Sequence, residues 1–204
     1  MRWKFPRERA GNNFPGFCVI LEEVVRLRSG RTLVLDNRTA CFEQAILPHS
    51  RAAYNFALWL VRNNQDAEDI AQQSLLKAFE GFHTLRGADA RAWLLAIVRN
   101  TAINFMTRQR PGRESECGDW IEHRVDTAPD PERSLLARSR RDQVRAAIAQ
   151  LPPEFREALV LREIEGMAYK EIGFVLKVPI GTVMSRLSRA RNLLARELIG
   201  EGTA

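Results

Sequence analysis

Thr182, Ser185, Arg186 and Arg189 recur at steps of three and four residues, so they share one helix face that offers two hydroxyls and two guanidiniums. Val183, Leu187, Ala190 and Leu194 form the apolar stripe opposite. An arginine fork can hold O6 and N7 of a guanine, which is worth about 1–3 kcal/mol of discrimination, or it can hold a phosphate. The spacing leaves open which arginine does which. Just upstream, Tyr169, Ile172 and Leu176 mark the buried stripe of a shorter helix, with Lys170 and Lys177 off it. Val178-Pro179 breaks that period, and proline suits the first turn of a new helix because its missing N–H has no partner to lose there. Short helix, turn and arginine-lined helix together have the form of a helix-turn-helix, whose second helix enters the major groove.

A second set lies in RAWLLAIVRNTAINFMTRQR, from Arg91 to Arg110, a segment that begins apolar and ends basic. Trp93, Leu94 and Ile97 are expected to anchor it. Asn100 and Asn104 stand one helical turn apart, with Arg99, Arg108 and Arg110 beside or after them. An asparagine amide carries both donor and acceptor, as reading an exposed base edge requires. Extruding a base costs a few kcal/mol, so a protein that does so needs a pocket for the base and cations for the strand. A third set is DAEDIAQQSLLKAF: Asp66, Glu68 and Asp69 sit in a first turn, where the helix dipole favours negative charge, and Asp69, Gln72 and Gln73 project outward. They read either as solvent-facing decoration or as a docking face.

Enzymatic chemistry has no comparable signal. There is no glycine-rich phosphate loop, nucleophile elbow or HExxH helix, so no catalytic residue and no cofactor is expected. Cys18, Cys41 and Cys117 are odd in number and far apart, which suits a reducing cytoplasm, and His49, His83 and His123 make no metal-ligand spacing with them. The apolar run Phe17–Leu21 is too short for a signal peptide or a membrane span, so no membrane insertion is expected.

These faces need helices to carry them, and helical periods run through residues 40–110 and 135–204. Between them, Pro111 to Ser134 holds 7 acidic against 3 basic side chains, five Pro and Gly residues and no sustained period. Such a stretch is long for a loop within one domain and reads as a flexible acidic linker. The expected fold is all-α: two small helical domains, 40–110 and 135–204, joined by a linker at 111–134, the second containing the helix-turn-helix. Residues 1–39 read as a poorly ordered extension. The whole chain carries a formal charge of +6, and residues 135–204 hold 12 basic against 8 acidic side chains, a balance suited to a polyanionic partner.

In their order and separation, DAEDIAQQSLLKAF, WLLAIVRNTAINFMTRQR and LPPEFREALVLREIEGMAYKEIGFVLKVPIGTVMSRLSRAR resemble the extracytoplasmic-function (ECF) sigma factors of bacterial RNA polymerase, across about residues 40–198. The resemblance implies that Asp69, Gln72 and Gln73 dock on the beta-prime clamp of the core polymerase. It implies that Arg99, Asn100, Asn104, Arg108 and Arg110 recognise and open the promoter minus-ten element, with the asparagines at an extruded base. It implies that Lys170, Thr182, Ser185, Arg186 and Arg189 bind the minus-thirty-five duplex, that the C-terminal domain touches the beta flap, and that an anti-sigma factor exists. Four positions depart from the family pattern: Ala168 for a capping Ser or Thr, at a cost of about 1 kcal/mol, Gln73 for Glu, Gly173 for Ala, and Met184 for a longer polar residue. Two other classes stay open. A conventional regulator with the same helix-turn-helix binds duplex DNA alone, typically as a dimer, and leaves the first two motifs without a role; a protein-interaction adaptor ranks third.

Overall fold

Each helix starts and stops where a local backbone device allows it. A computed structural model describes residues 37–85, 89–108 and 142–200, and every regular element among them is helical. The linker 111–134, Arg110, the Arg86-Gly87 turn and residues 1–36 lie outside the described residues. Helix α1 (Asn37–Ile46) begins three residues inside the stretch read as an extension. Helix α2 (Ser50–Val61) ends where Arg62 takes the left-handed conformation, φ 60°, and donates its N–H to the Leu58 carbonyl at 2.9 Å. Asn63 then caps α3 (Asn64–Gly81), its side-chain oxygen accepting from the Asp66 N–H at 3.0 Å. Asp89 does the same for α4 (Ala90–Arg108), accepting from Arg91 N–H at 2.8 Å and Ala92 N–H at 3.3 Å.

Helices α2, α3 and α4 pack on one another around Phe56, Ile70, Leu75, Leu94, Leu95 and Val98, all fully buried. Burying each of these large side chains contributes roughly 1.5–3 kcal/mol. Phe42 brings α1 onto the far end of α3 through edge-to-face contacts with Phe79 and Phe82, ring centroids 5.1 and 5.5 Å apart. Of the expected anchors of α4, Leu94 is buried, but Trp93 and Ile97 are only half-buried; Leu95, Val98 and Ala102 take the core instead. The first half of α4 is apolar on all sides, so periodicity there selects no face.

After residues 142–150 (α5) come α6 (Pro153–Leu159), a π-helical turn over Val160–Ile164, α7 (Tyr169–Leu176) and α8 (Ile180–Gly200). Helices α6 and α7 pack on α8 around Leu161, Met167, Ile172 and Leu187. The link from α7 to α8 is tight. Lys177 is left-handed, φ 56°, and Val178 N–H returns to the Gly173 carbonyl at 3.1 Å. A Cβ on Gly173 would stand 3.0 Å from the Val178 carbonyl oxygen, a tight approach that glycine relieves. At Ala168 no side-chain oxygen exists to cap α7. Only the return half of a capping box forms, the Glu171 carboxylate accepting from the Ala168 N–H at 2.6 Å. The two groups of helices also meet: α4 lies against α7, and α2 against α6 and the π turn.

Candidate nucleic-acid interface

On α8 the apolar stripe points inward as its period requires, with Val183, Leu187 and Ala190 fully buried and Leu194 half-buried. The opposite face is therefore turned out. Ser185 and Arg189 are exposed, Thr182 and Arg186 are half-buried, and Lys170 on α7 is exposed. Arg186 and Arg189 form no ion pair among the described residues. The Ser185 hydroxyl donates to the Thr182 carbonyl at 3.0 Å, which leaves its lone pairs free to accept. Nearby cations are committed to the fold. Arg191 donates to Glu163 at 2.7 and 3.3 Å, a bond that raises its pKa further, and Arg162 lies 5.0 Å from the Tyr169 ring centre while donating to the Met167 carbonyl at 2.7 Å. Burial and ion pairing thus separate cations that serve the domain from cations it presents.

Two exposed apolar residues lie off this face, beside the apolar stripe, and were not among the sequence candidates. Ile180 and Met184 stand one turn apart at the start of α8, Met184 being 52% exposed. Met184 was legible as a departure from the family pattern, while Ile180 was assigned no role.

On α4, Asn100 is half-buried, Asn104 and Arg108 are exposed, and Arg110 lies outside the described residues. The asparagines keep the one-turn spacing that puts both amides on one side of the helix. Arg99 behaves differently from the α8 arginines. Its side chain is only 18% exposed and its Nε donates to the Glu157 carboxylate of α6 at 2.8 Å, Glu157 itself being 7% exposed. Two turns earlier on α4, Arg91 pairs with Glu165, which follows the π turn and is 6% exposed. Burial pushes the Glu165 carboxyl up, against the pull of Arg91 and Arg51. Arg91, Glu157 and Glu165 carried no sequence signal, because the partners stand 74 and 58 residues apart.

On α3, Asp69 and Gln73 are exposed and Gln72 is half-buried. Leu76, 38% exposed, continues the line of Asp69 and Gln73 by one more step, so the face has an apolar component. Lys77, next in sequence, is tied back to the Thr101 hydroxyl at 3.1 Å.

Comparison with known proteins matches this geometry to two family regions. Residues 45–111 match Sigma-70 region 2 and residues 141–194 match Sigma-70, region 4. The RNA polymerase sigma-H factor of Pseudomonas aeruginosa is 33% identical over 165 residues, covering 77% of this chain and 86% of the relative. The ECF RNA polymerase sigma-E factor of Escherichia coli is 34% identical over 137 residues, covering 63% and 72%. Among solved structures, the sigma factor RpoE in complex with the anti-sigma factor NepR, from Bartonella quintana, is 32% identical with a TM-score of 0.60, over 77% of this chain and 96% of that one. The structure of CnrH in complex with the cytosolic domain of CnrY, at 23% identity and a TM-score of 0.58 over 81% and 91%, shares the fold.

Proposed function

Because the chain belongs to the sigma-70 family of RNA polymerase sigma factors, in its ECF branch, we propose that it binds the core polymerase and directs it to the promoters of a specific set of genes. In this reading residues 40–110 and 135–204 are separate promoter-reading domains joined through 111–134. Asp69, Gln72 and Gln73, with Leu76 beside them, dock on the beta-prime clamp, and the C-terminal domain also touches the beta flap. Thr182, Ser185, Arg186, Arg189 and Lys170 hold the minus-thirty-five element as duplex. Asn100 and Asn104 receive an extruded minus-ten base while Arg99, Arg108 and Arg110 hold the strand. The chain supplies no chemistry of its own; bond formation belongs to the polymerase. It acts in the cytoplasm and is held in check by an anti-sigma factor.

The observation that carries the reading is the presence, in one chain, of two faces suited to two states of DNA. The α8 face projects hydroxyls and unpaired guanidiniums, as groove reading of paired bases requires, and α4 carries amides one turn apart, as holding an unpaired base requires. Two weak contacts gain specificity when a larger scaffold fixes their spacing. The test is transcription by purified core polymerase from a pool of genomic promoter fragments, with and without the chain, with start sites mapped. New starts that share a spaced two-part motif are expected. Tight binding to duplex DNA alone, with no polymerase-dependent start, would instead establish the conventional regulator.

A further inference from the structure

The acidic partners of Arg91 and Arg99 both come from the C-terminal group of helices, and they come in register. The two arginines are eight residues apart on α4, and Glu157 and Glu165 are eight residues apart across α6 and the π turn, paired in opposite chain order. Eight helical residues span about 12 Å, so the guanidiniums are spaced for two anionic groups that far apart. A nucleic-acid strand carries a phosphate at every nucleotide and can present two of them at that separation. Carboxylates and phosphates are held by arginine through the same planar fork.

The rest of this contact is built at a cost. Arg156 of α6 is buried, donates to the Ala149 carbonyl at 2.9 Å, and leaves its Nε without a hydrogen bond among the described residues. Burial, and then the like charge of Arg62 at the end of α2, lower its pKa to about 10. Arg51 also acts on Glu165 from the α2 side. Glu165 therefore answers Arg91 and Arg51, and Glu157 answers Arg99 and Arg156, an excess of positive charge that a polyanion would relieve. An interface of buried ions is also weaker against separation than an apolar one of equal size, since each ion regains its hydration on leaving.

We propose that Glu157 and Glu165 are intramolecular stand-ins for DNA phosphates: they occupy Arg91 and Arg99, a backbone-binding pair for the opened promoter strand, and so keep the minus-ten helix closed until the C-terminal helices are drawn away. This assigns Arg91 a strand-binding role beside Arg99 and makes α6 with its π turn the closing element. It rests on the reading of α4 as the minus-ten reader.

The test uses the full-length free chain, a fluorescein-labelled single-stranded DNA, and small-angle X-ray scattering for the radius of gyration. The Glu157→Gln/Glu165→Gln double variant keeps side-chain shape, and is expected to expand and to bind the strand at least tenfold more tightly. Arg91→Gln/Arg99→Gln is expected to expand with no gain in binding. Glu154→Gln/Glu197→Gln removes the same charge from exposed positions and is expected to change neither. Expansion of the glutamate variant without tighter binding overturns the phosphate-binding pair; no expansion overturns the clasp; an equal gain in the exposed-charge control reduces the effect to net charge. Transcription by wild-type chain with core polymerase, run in parallel, reports separately on whether α4 serves a sigma factor at all.

Discussion

Helices α4 and α8 both carry arginines suited to nucleic acid, yet they stand in opposite states. Arg186 and Arg189 on α8 face outward with no carboxylate among the described residues, whereas Arg99 on α4 is largely buried against Glu157. The same residue type therefore has different work to do before DNA arrives. The α8 arginines need only displace water and counterions, while Arg99 must first give up a desolvated partner. Breaking one half of a buried pair is costly; removing an exposed, unpaired side chain is not.

The largest expected effect follows from that contrast. Arg99→Ala removes the partner of a buried Glu157 and should cost up to about 3–5 kcal/mol of stability, less what Glu157 regains in hydration if the contact opens, read as a fall in the urea midpoint. Arg189→Ala in the same assay should stay within about 0.5 kcal/mol of wild type. Equal midpoints for the two variants would break the comparison. Leu187→Ala asks whether α8 reads DNA as a packed helix rather than as a string of charges. Its side chain is fully buried, so the substitution should cost about 2–5 kcal/mol and lower the thermal midpoint along with duplex binding.

Next in size, Arg186→Ala or Arg189→Ala should weaken promoter binding by the polymerase-bound chain by about 1–3 kcal/mol if the residue reads a base, with relaxed specificity at that position. If it holds a phosphate, the loss should be uniform across sequences and the salt slope should fall by about one. A smaller effect concerns pH. The Glu165 carboxyl is pushed up from its ordinary value of 4.5, chiefly by burial. A carboxyl raised on folding contributes stability that is fully present below its unfolded pKa and lost as pH rises through the folded one. Relative to Glu165→Gln, the wild-type chain should therefore lose stability as pH is raised from about 4.5, measured as the difference in urea midpoints; a difference of opposite sign would mean that Arg91 outweighs burial. The smallest effect is expected at the turn. Lys177→Gly removes a left-handed lysine, φ 56°, and should add about 1 kcal/mol, raising the thermal midpoint by a few degrees without touching either arginine set.

Legibility along the chain varied for identifiable reasons. The buried stripe Val183, Leu187 and Ala190 was readable because α8 has one apolar and one polar face, so its period alone orients it. Helix α4 offered no such contrast, and Trp93 and Ile97 drew the assignment that belongs to Leu95 and Val98. On α3 the period that turns Ile70, Ala71, Leu75 and Ala78 inward is borne out, and it leaves Leu76 on the outside. Asn63 and Asp89 are local caps of a type that sequence can reveal, since an Asn or Asp just before a helical period is a start signal.

The amino-acid sequence by itself determined the helical class, the helix-turn-helix, the outward faces of α3 and α8 and the family to which the chain belongs, since each follows from spacing within a few turns. Tertiary structure alone decided which cations are already engaged. Ion pairing acts at contact distance between residues far apart in the chain, so nothing in the local pattern around Arg91 or Arg99 distinguishes them from Arg186 or Arg189.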